Sequence, residues 1–558
     1  MAFQISPGVN VSEVDQTTVV PSVLTTAGAF AGTFAWGPTD QVTLIDSEIT
    51  LVKTFGKPDA NSAVSFFTAA NFLAYGNNLS IVRSVGSAAK NATPAAPILV
   101  GNKDVFEQSL LFSDNGDTNG AYIARFPGAL GNSLVVETCA NSATFATWSY
   151  KGYFTSAPGT SDQVAAAGGS DDEMHIVVID AGGKFTGAAG TVLETFAFVS
   201  KASDATVNGA TNFYKQVLFN QSKYVYSVNP VDYVITHNTW GLTVGTEFVN
   251  PSTTITTTLS GGVDAAPASL ESAYDLFNNK EVIDISLVLT GDADVATQQY
   301  VIDNVANSRG DCLAFISPAM SDVVNQAGQE TDNITTWLSS LSRSSSFVVA
   351  DSGWKYQFDK YNNVYRWVPL NGDIAGLCVF TDAVRDPWFS PAGFNRGSIK
   401  NCIKLAWNPS KTFRDVLYAA GVNPVVSFPG QGTVLYGDKT LQNKPSAFDR
   451  INVRRLFITL EKAIAQAAKF SLFELNDEFT RAQFVALVTP FLRDVQGRRG
   501  ITDFKVVCDS TNNTGQVVDS NQFVGDIYIK PARSINYIQL NFVAVATGVD
   551  FTTVVGVA

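Results

Sequence analysis

Histidines, cysteines and acidic turns are the side chains that could give this chain of 558 residues a chemistry, and their spacing works against each use. His175 and His237 are the only histidines. Cys139, Cys312, Cys378, Cys402 and Cys508 are scattered without a CxxC pair. A zinc site needs four convergent ligands and a disulfide framework needs a patterned, even set, so the thiols read as buried and reduced. Asp171, Asp172 and Glu173 beside His175 offer metal-type ligands, and a solvated loop explains the same residues. Asn115, Asp117, Asn119 and Gly120 mimic half of a calcium loop, but position twelve is Phe126 where a bidentate Glu is required. Gly182-Gly-Lys-Phe-Thr-Gly187 lacks the spacing of a phosphate loop and the hydroxyl after its lysine. Neither a serine elbow nor an HExxH is present. No catalytic, cofactor-binding or metal residue is assigned.

The elements around these residues describe a scaffold. Thr26 to Phe34 reads as a strand, a helix capped at Asn61 or Ser62 runs to Tyr75, and Leu79 to Val85 is a strand again. The alternation returns with helices at 269–279 and 295–308 and strands at 282–289 and 312–316, which is the pattern of an α/β sheet. Between these halves lies a Gly-, Ser- and Thr-rich stretch with short β-prone runs, read as a β-rich insertion. From Phe347 onward, turns separate further β-prone runs. Two long helices follow, about 446–470 and 476–493, then two strands and an apolar tail. The fold class is therefore α/β and α+β multidomain: an α/β domain carrying a β-rich insertion, plus a C-terminal mixed α+β inner domain with extended N- and C-terminal arms. The expected boundaries are 1–25 for an arm and linker, 26–92 plus 262–345 for the α/β domain, and 93–261 for the insertion. Residues 346–535 form the inner domain and 536–558 a C-terminal strand and arm.

Charge and hydropathy point to assembly. Charged residues are only 16% of the chain against 45% hydrophobic, too little charge for a surface left wholly to water. The net charge of −13 is divided, with 14 Lys+Arg against 32 Asp+Glu in 1–345 and 23 against 18 in 346–558. The basic excess is small and unclustered, which excludes nucleic acid as a partner. The first residues form no signal peptide, and glycines and Pro21 break the uncharged stretch 16–39, so no membrane insertion is expected. Val9, Val11 and Val14 make a β-prone leader. Ile538, Leu540, Phe542 and Val543 open an equally β-prone tail. Exposed apolar strands aggregate unless paired. Two such ends favour strand donation between subunits over ordinary edge strands.

Several motifs, in this order along the chain, resemble the contractile bacteriophage (myovirus) tail sheath family. They are Ile5-Ser-Pro-Gly-Val-Asn-Val-Ser-Glu-Val14, Phe34-Ala-Trp-Gly-Pro38, Phe66-Phe67 through Ile81-Val-Arg83, and Phe126-Pro-Gly-Ala-Leu-Gly-Asn-Ser133. Leu259-Ser-Gly-Gly-Val-Asp264, Val368-Pro-Leu-Asn-Gly372, Ser390-Pro-Ala-Gly393 and Ile451-Asn-Val-Arg-Arg-Leu-Phe457 continue the likeness. The resemblance implies a structural subunit rather than an enzyme, without cofactor. It implies stacked hexamers in a helical array around a tail tube, in contact with baseplate and tail terminator proteins. It places the chain in the virion tail, after assembly in the host cytoplasm, with contraction driving the tube through the host envelope. The alternatives are an α/β nucleotide- or sugar-binding enzyme and a host-binding adhesin.

One surface is expected to meet the tube. Residues 440–500 hold ten Lys+Arg and six Asp+Glu. Arg455, Lys462 and Lys469 recur every seven residues, with Arg454 beside the first, opposite an apolar stripe of Val453, Phe457, Leu460 and Ile464. A solvated helix face and a tube-facing contact surface both fit this pattern.

Overall fold

A computed structural model describes residues 20, 23–109, 121–228 and 239–540. The chain enters a sheet at β1 (Gly28–Gly32), whose five residues are all buried. Its small side chains admit helices closely: a Cβ on Gly28 would lie 2.6 Å from the Phe72 ring. Strand β2 (Val42–Ile45), helix α1 (Ala63–Leu73) and β3 (Leu79–Arg83) follow.

The chain then leaves as a stalk. Lys90 exchanges backbone hydrogen bonds with Val263, and Thr93 with Ser260. Beyond it, β4 (Leu134–Cys139), β5 (Glu173–Asp180), β6 (Thr191–Ser200) and β7 (Ile255–Thr258) pair antiparallel in the order β7-β4-β5-β6. This insertion packs around Leu134, Ile176, Tyr214 and Trp240, and Trp36 of the body enters the same cluster.

Back in the body come β8 (Leu287–Leu289), α2 (Val295–Tyr300), β9 (Leu313–Ile316), α3 (Glu330–Leu341) and β10 (Val348–Asp351). An antiparallel pair, β11 (Trp354–Asp359) and β12 (Val364–Pro369), leads into α4 (Asn371–Val384), and β13 (Val422–Asn423) closes the sheet. The sheet order is β13-β10-β9-β8-β1-β3-β2, parallel except at β2. Both faces are covered, as a parallel sheet requires. Phe30 packs with α1 and α4 on one side; Ala29 and Ala31 pack with Tyr274, Val301 and Trp337 on the other.

This topology corrects the expected boundary at 346. Strands β10 and β13 belong to the same sheet as β1, and α4 packs on α1 so tightly that a Cβ on Gly372 would lie 2.5 Å from the Thr68 carbonyl. The turn-rich texture after Phe347 marks the β11–β12 excursion from the body and not a new domain. A separate cluster forms later, from α5 (Ile451–Ala468), α6 (Glu478–Gly497), β14 (Ile501–Val507) and β15 (Asp526–Pro531), around Leu456, Leu460, Phe484, Val488 and Leu492.

Candidate functional site

Strands β14 and β15 pair only with each other among the described residues, so each keeps an open outer edge. A two-stranded sheet is marginal alone. This one rests on α6, through Phe504, Val506, Ile527 and Ile529 packed against the Phe484–Val488–Leu492 cluster. Outside β14 the support continues, with no strand above it among the described residues. A groove of about 510 Å³ there is lined by Ala482, Val485, Ala486, Thr489 and Pro490 of α6, with Val506 and Cys508. The geometry is a bed for one more strand: a strand edge at the rim, where side chains of Gln496 and Asp503 now occupy the Thr502 carbonyl and the Phe504 amide, with mostly small apolar side chains below and Asp509 at one end.

The arm residues expected to fill such a bed are only partly within the described residues. Ile538 and Leu540 lie in irregular chain, 77% and 72% exposed, in no strand. Val9, Val11, Val14, Phe542 and Val543 lie outside the described residues. The roots of both arms are visible. Thr25 Oγ1 donates to Asp382 Oδ2 at 2.7 Å, Ser286 Oγ donates to the Leu24 carbonyl at 2.9 Å, and Val20 packs on Ala463 and Ala467 of α5. At the other end, Ser534 Oγ and Asn536 Nδ2 both donate to the Asp438 carboxylate.

Helix α5 does bury Val453, Leu460 and Ile464 as expected, and three of its four basic residues, Arg454, Arg455 and Lys462, are taken up in contacts within the subunit. Arg454 and Arg455 are 6% and 4% exposed. Arg455 Nη2 donates to Asp382 Oδ2 at 2.6 Å; burial opposes its charge, but Asp382 and Cys378 together more than offset it, and its pKa is raised. Arg454 lies over the Phe347 and Phe448 rings and reaches Glu461; its pKa is lowered by burial, which Glu461 offsets only in part. Lys462 Nζ is spent on Asp284, the Ile285 carbonyl and Ser286. Of the four, Lys469 alone is exposed. The cause is a third layer: α5 is packed by the body on the side opposite its own apolar stripe, and its cations became internal struts. Asp382, Asp438, Tyr418 and Thr25 escaped the sequence reading because Thr25 and Asp382 stand 357 residues apart, with no local pattern to join them.

The chemical candidates also settle into structural roles. His175 stacks on Phe154, its Nδ1 accepts from the Phe198 amide and its Nε2 lies 2.9 Å from the Ser156 carbonyl. Asp172 accepts from Ser161 and Ser200. At the carboxyl ends of β8 and β9, where open parallel sheets hold ligands, α4 is already seated. Asn371 Nδ2 donates to the Gly291 carbonyl and to Ser317 Oγ, and Asn371 Oδ1 accepts from the Gly291 amide. Beside it, Lys355 and Asp373 form a fully buried ion pair at 2.8 Å, and burial holds the Asp373 carboxyl above its ordinary range.

Three sequence families match segments that coincide with these units. The tail sheath protein Gp18 domain III N-terminal region covers 25–83, the phage tail sheath protein central domain covers 271–441, and the phage tail sheath C-terminal domain covers 443–544. The tail sheath protein of Vibrio phage KVP40 is 35% identical, over 99% of this chain and 100% of its own. The chain belongs to the phage tail sheath protein family. The tail sheath protein of Enterobacteria phage T4 is 32% identical over 99% of each chain. The contracted helical sheath of the anti-feeding prophage shares the fold, with a TM-score of 0.51 at 12% identity, over 97% of this chain and 99% of that one. This sheath protein is thus a structural subunit of a contractile tail sheath, and its place is the virion tail. The break between the second and third families, at 441–443, falls between β13 and the start of α5.

Proposed function

We propose that the subunit polymerises into stacked hexamers arranged helically around a tail tube, each copy lending its arms to the open sheet of a neighbour. The observation that carries this is the β14 edge beside a groove that none of the described residues fills, in a chain with two β-prone ends. Fifteen extended residues reach about 50 Å, enough to cross to an adjacent copy. Such donation is head-to-tail, and a head-to-tail contact that does not close builds a helix. Deleting residues 1–19 tests it: the variant should stay folded and soluble and form no tubes in negative stain, and normal tubes refute the reading.

The remaining roles follow from this frame. The acidic insertion faces outward and the α5–α6 module faces the tube, with Lys469 the surviving member of the expected stripe. Mild proteolysis of assembled sheath should cut first between 93 and 261, and first cuts in α5 or α6 count against the layout. Tube, baseplate and terminator proteins are the partners, nucleic acid is not, and the subunit assembles in the host cytoplasm. Contraction is a switch between two packings of rigid bodies that drives the tube through the envelope without cofactor or catalysis. The enzyme reading is disfavoured by Asn371 filling the ligand end of the sheet. The hollow of about 280 Å³ beside it is lined by Asp294, Gln298, Asp322 and Trp337 and has no basic side chain for a phosphate. An adhesin would remain monomeric where this chain forms tubes.

A further inference from the structure

Backbone pairing between an arm and a neighbour's strand holds two subunits together but does not aim them. A buried face fixes the register of an arm within the neighbour's sheet, but it leaves open the angle at which that arm departs from its own body. A lattice with one rise and one twist needs the departure direction set at the root. The structure holds two matching devices there, both built on α5.

At the N-terminal root, Arg455 Nη2 and Thr25 Oγ1 donate to the same oxygen of Asp382, and Arg455 also approaches the Thr25 carbonyl at 3.5 Å. The backbone on either side is fixed by Ser286, whose Oγ donates to Leu24 O and whose amide donates to Ala27 O, while Lys462 of α5 donates to that Oγ at 3.0 Å. At the C-terminal root, Asp438 is 3% exposed and both its oxygens are occupied. Oδ2 accepts from Ser534, and Oδ1 accepts from Asn536, Tyr418 and Arg450, the residue before α5. Tyr418 Oη accepts from Asn536 at 2.7 Å and from Arg450 at 2.5 Å. The Asp438 carbonyl takes the amide of Ile451, the first residue of α5. Each root is thus held by a buried aspartate of the body and an arginine, one at the N-cap of α5 and the other five positions on within that helix, through charge-assisted bonds.

We propose that Asp382–Arg455 and Asp438–Arg450–Tyr418 are positioning residues for assembly: they fix the angle at which each arm leaves, and α5 is the rigid bar between a subunit's two connections. This rests on the arm reading above and adds what the strands alone cannot supply. The test uses the full chain with changes confined to the arm side, Thr25→Val, Ser534→Ala and Asn536→Ala together, so that both aspartate–arginine pairs keep each other. The monomer's thermal transition should stay within about 2 °C of the wild type, since none of the three is a core residue. Its polymers should be bent, with persistence length reduced at least about twofold and helical layer lines lost, or should fail to form. Straight tubes with wild-type layer lines overturn the clamps. Thr25→Val and Asn536→Ala are also tested singly, so a poorly folding triple variant still leaves each root to be scored by the same readout. Loss of assembly on deleting 1–19 together with straight tubes from the triple variant overturns the clamps alone; normal tubes from the deletion overturn the arm reading itself.

Discussion

Arg455→Met separates an internal strut from a surface contact. Arg455 and Asp382 side chains are 4% and 6% exposed and meet at 2.6 Å. Removing one partner of such a pair strands a buried charge, at about 3–5 kcal/mol. Asp382 keeps only the Thr25 hydroxyl on its paired oxygen, and Asp382 Oδ1 has no partner among the described residues, so the loss belongs toward the upper end. At about 2–4 °C per kcal/mol for a cooperative unit of this size, the monomer's transition should fall by roughly 6–20 °C. Arg455→Met with Asp382→Leu should recover most of that, because removing both charges removes the penalty. The assay is scanning fluorimetry and urea denaturation at a concentration too low for tubes, in about 0.05 M and about 0.5 M salt. A buried pair is little screened, whereas an exposed stripe would be. A monomer within about 0.5 kcal/mol of the wild type, or an effect that vanishes in salt, would refute the internal role and return Arg455 to the surface.

Three further outcomes are expected. Ala486→Trp fills the groove beside β14; it should leave the monomer folded and lower tube yield at least about tenfold by sedimentation, and unchanged yield would exclude the groove as a strand bed. Burial raises the Asp351 pKa to about 8, so the native state binds a proton that the unfolded chain releases near pH 4; stability should therefore fall as pH rises between about 4 and about 8. Asp351→Asn should flatten that slope in urea midpoints taken across the window, and an unaltered slope would assign it to another group. Phe473 is fully exposed in a left-handed conformation at φ 69°, so Phe473→Gly should raise monomer stability by about 1 kcal/mol, and a loss would show that the ring is supported.

What the sequence made legible was whatever rests on short-range periodicity. The strands around Gly28, Leu79, Leu287 and Leu313 were expected and are present, because apolar runs between helices have few other uses. The stripe on α5 was legible for the same reason. The helix begins at Ile451 rather than near Ser446, whose hydroxyl instead caps a short turn at Ala447–Asp449, and α6 is capped by Asp477 rather than Asn476. Helical spacing reports which side chains share a face but not what lies across from it. Arg455 and Lys462 therefore read equally well as solvated or as contact residues until the body was seen to cover them. The boundary at 346 failed for a related reason: turns and β-prone runs are identical whether a chain starts a new domain or returns to an old sheet. The arm roots had no local signature, since their bonds join residues 357 and 98 positions apart.

The stalk at Lys90–Thr93 and Ser260–Val263 has a consequence for how such a subunit can change. Because the two crossing segments are zipped to each other, their ends stand about 5.5 Å apart whatever is threaded between them. The loop-closure entropy of the body is set there and depends little on the length of the outer loops, while Arg83 and Trp36 of the body still hold Pro127, Phe126 and Phe185 at the base of the insertion. Residues 94–259 are in that sense a cassette on a socket. A lineage can lengthen, trim or exchange it under selection from the outside world while the sheet, α5 and the arm roots stay under selection from their neighbours. The same socket offers an experimenter a display position repeated once per subunit along the whole tail.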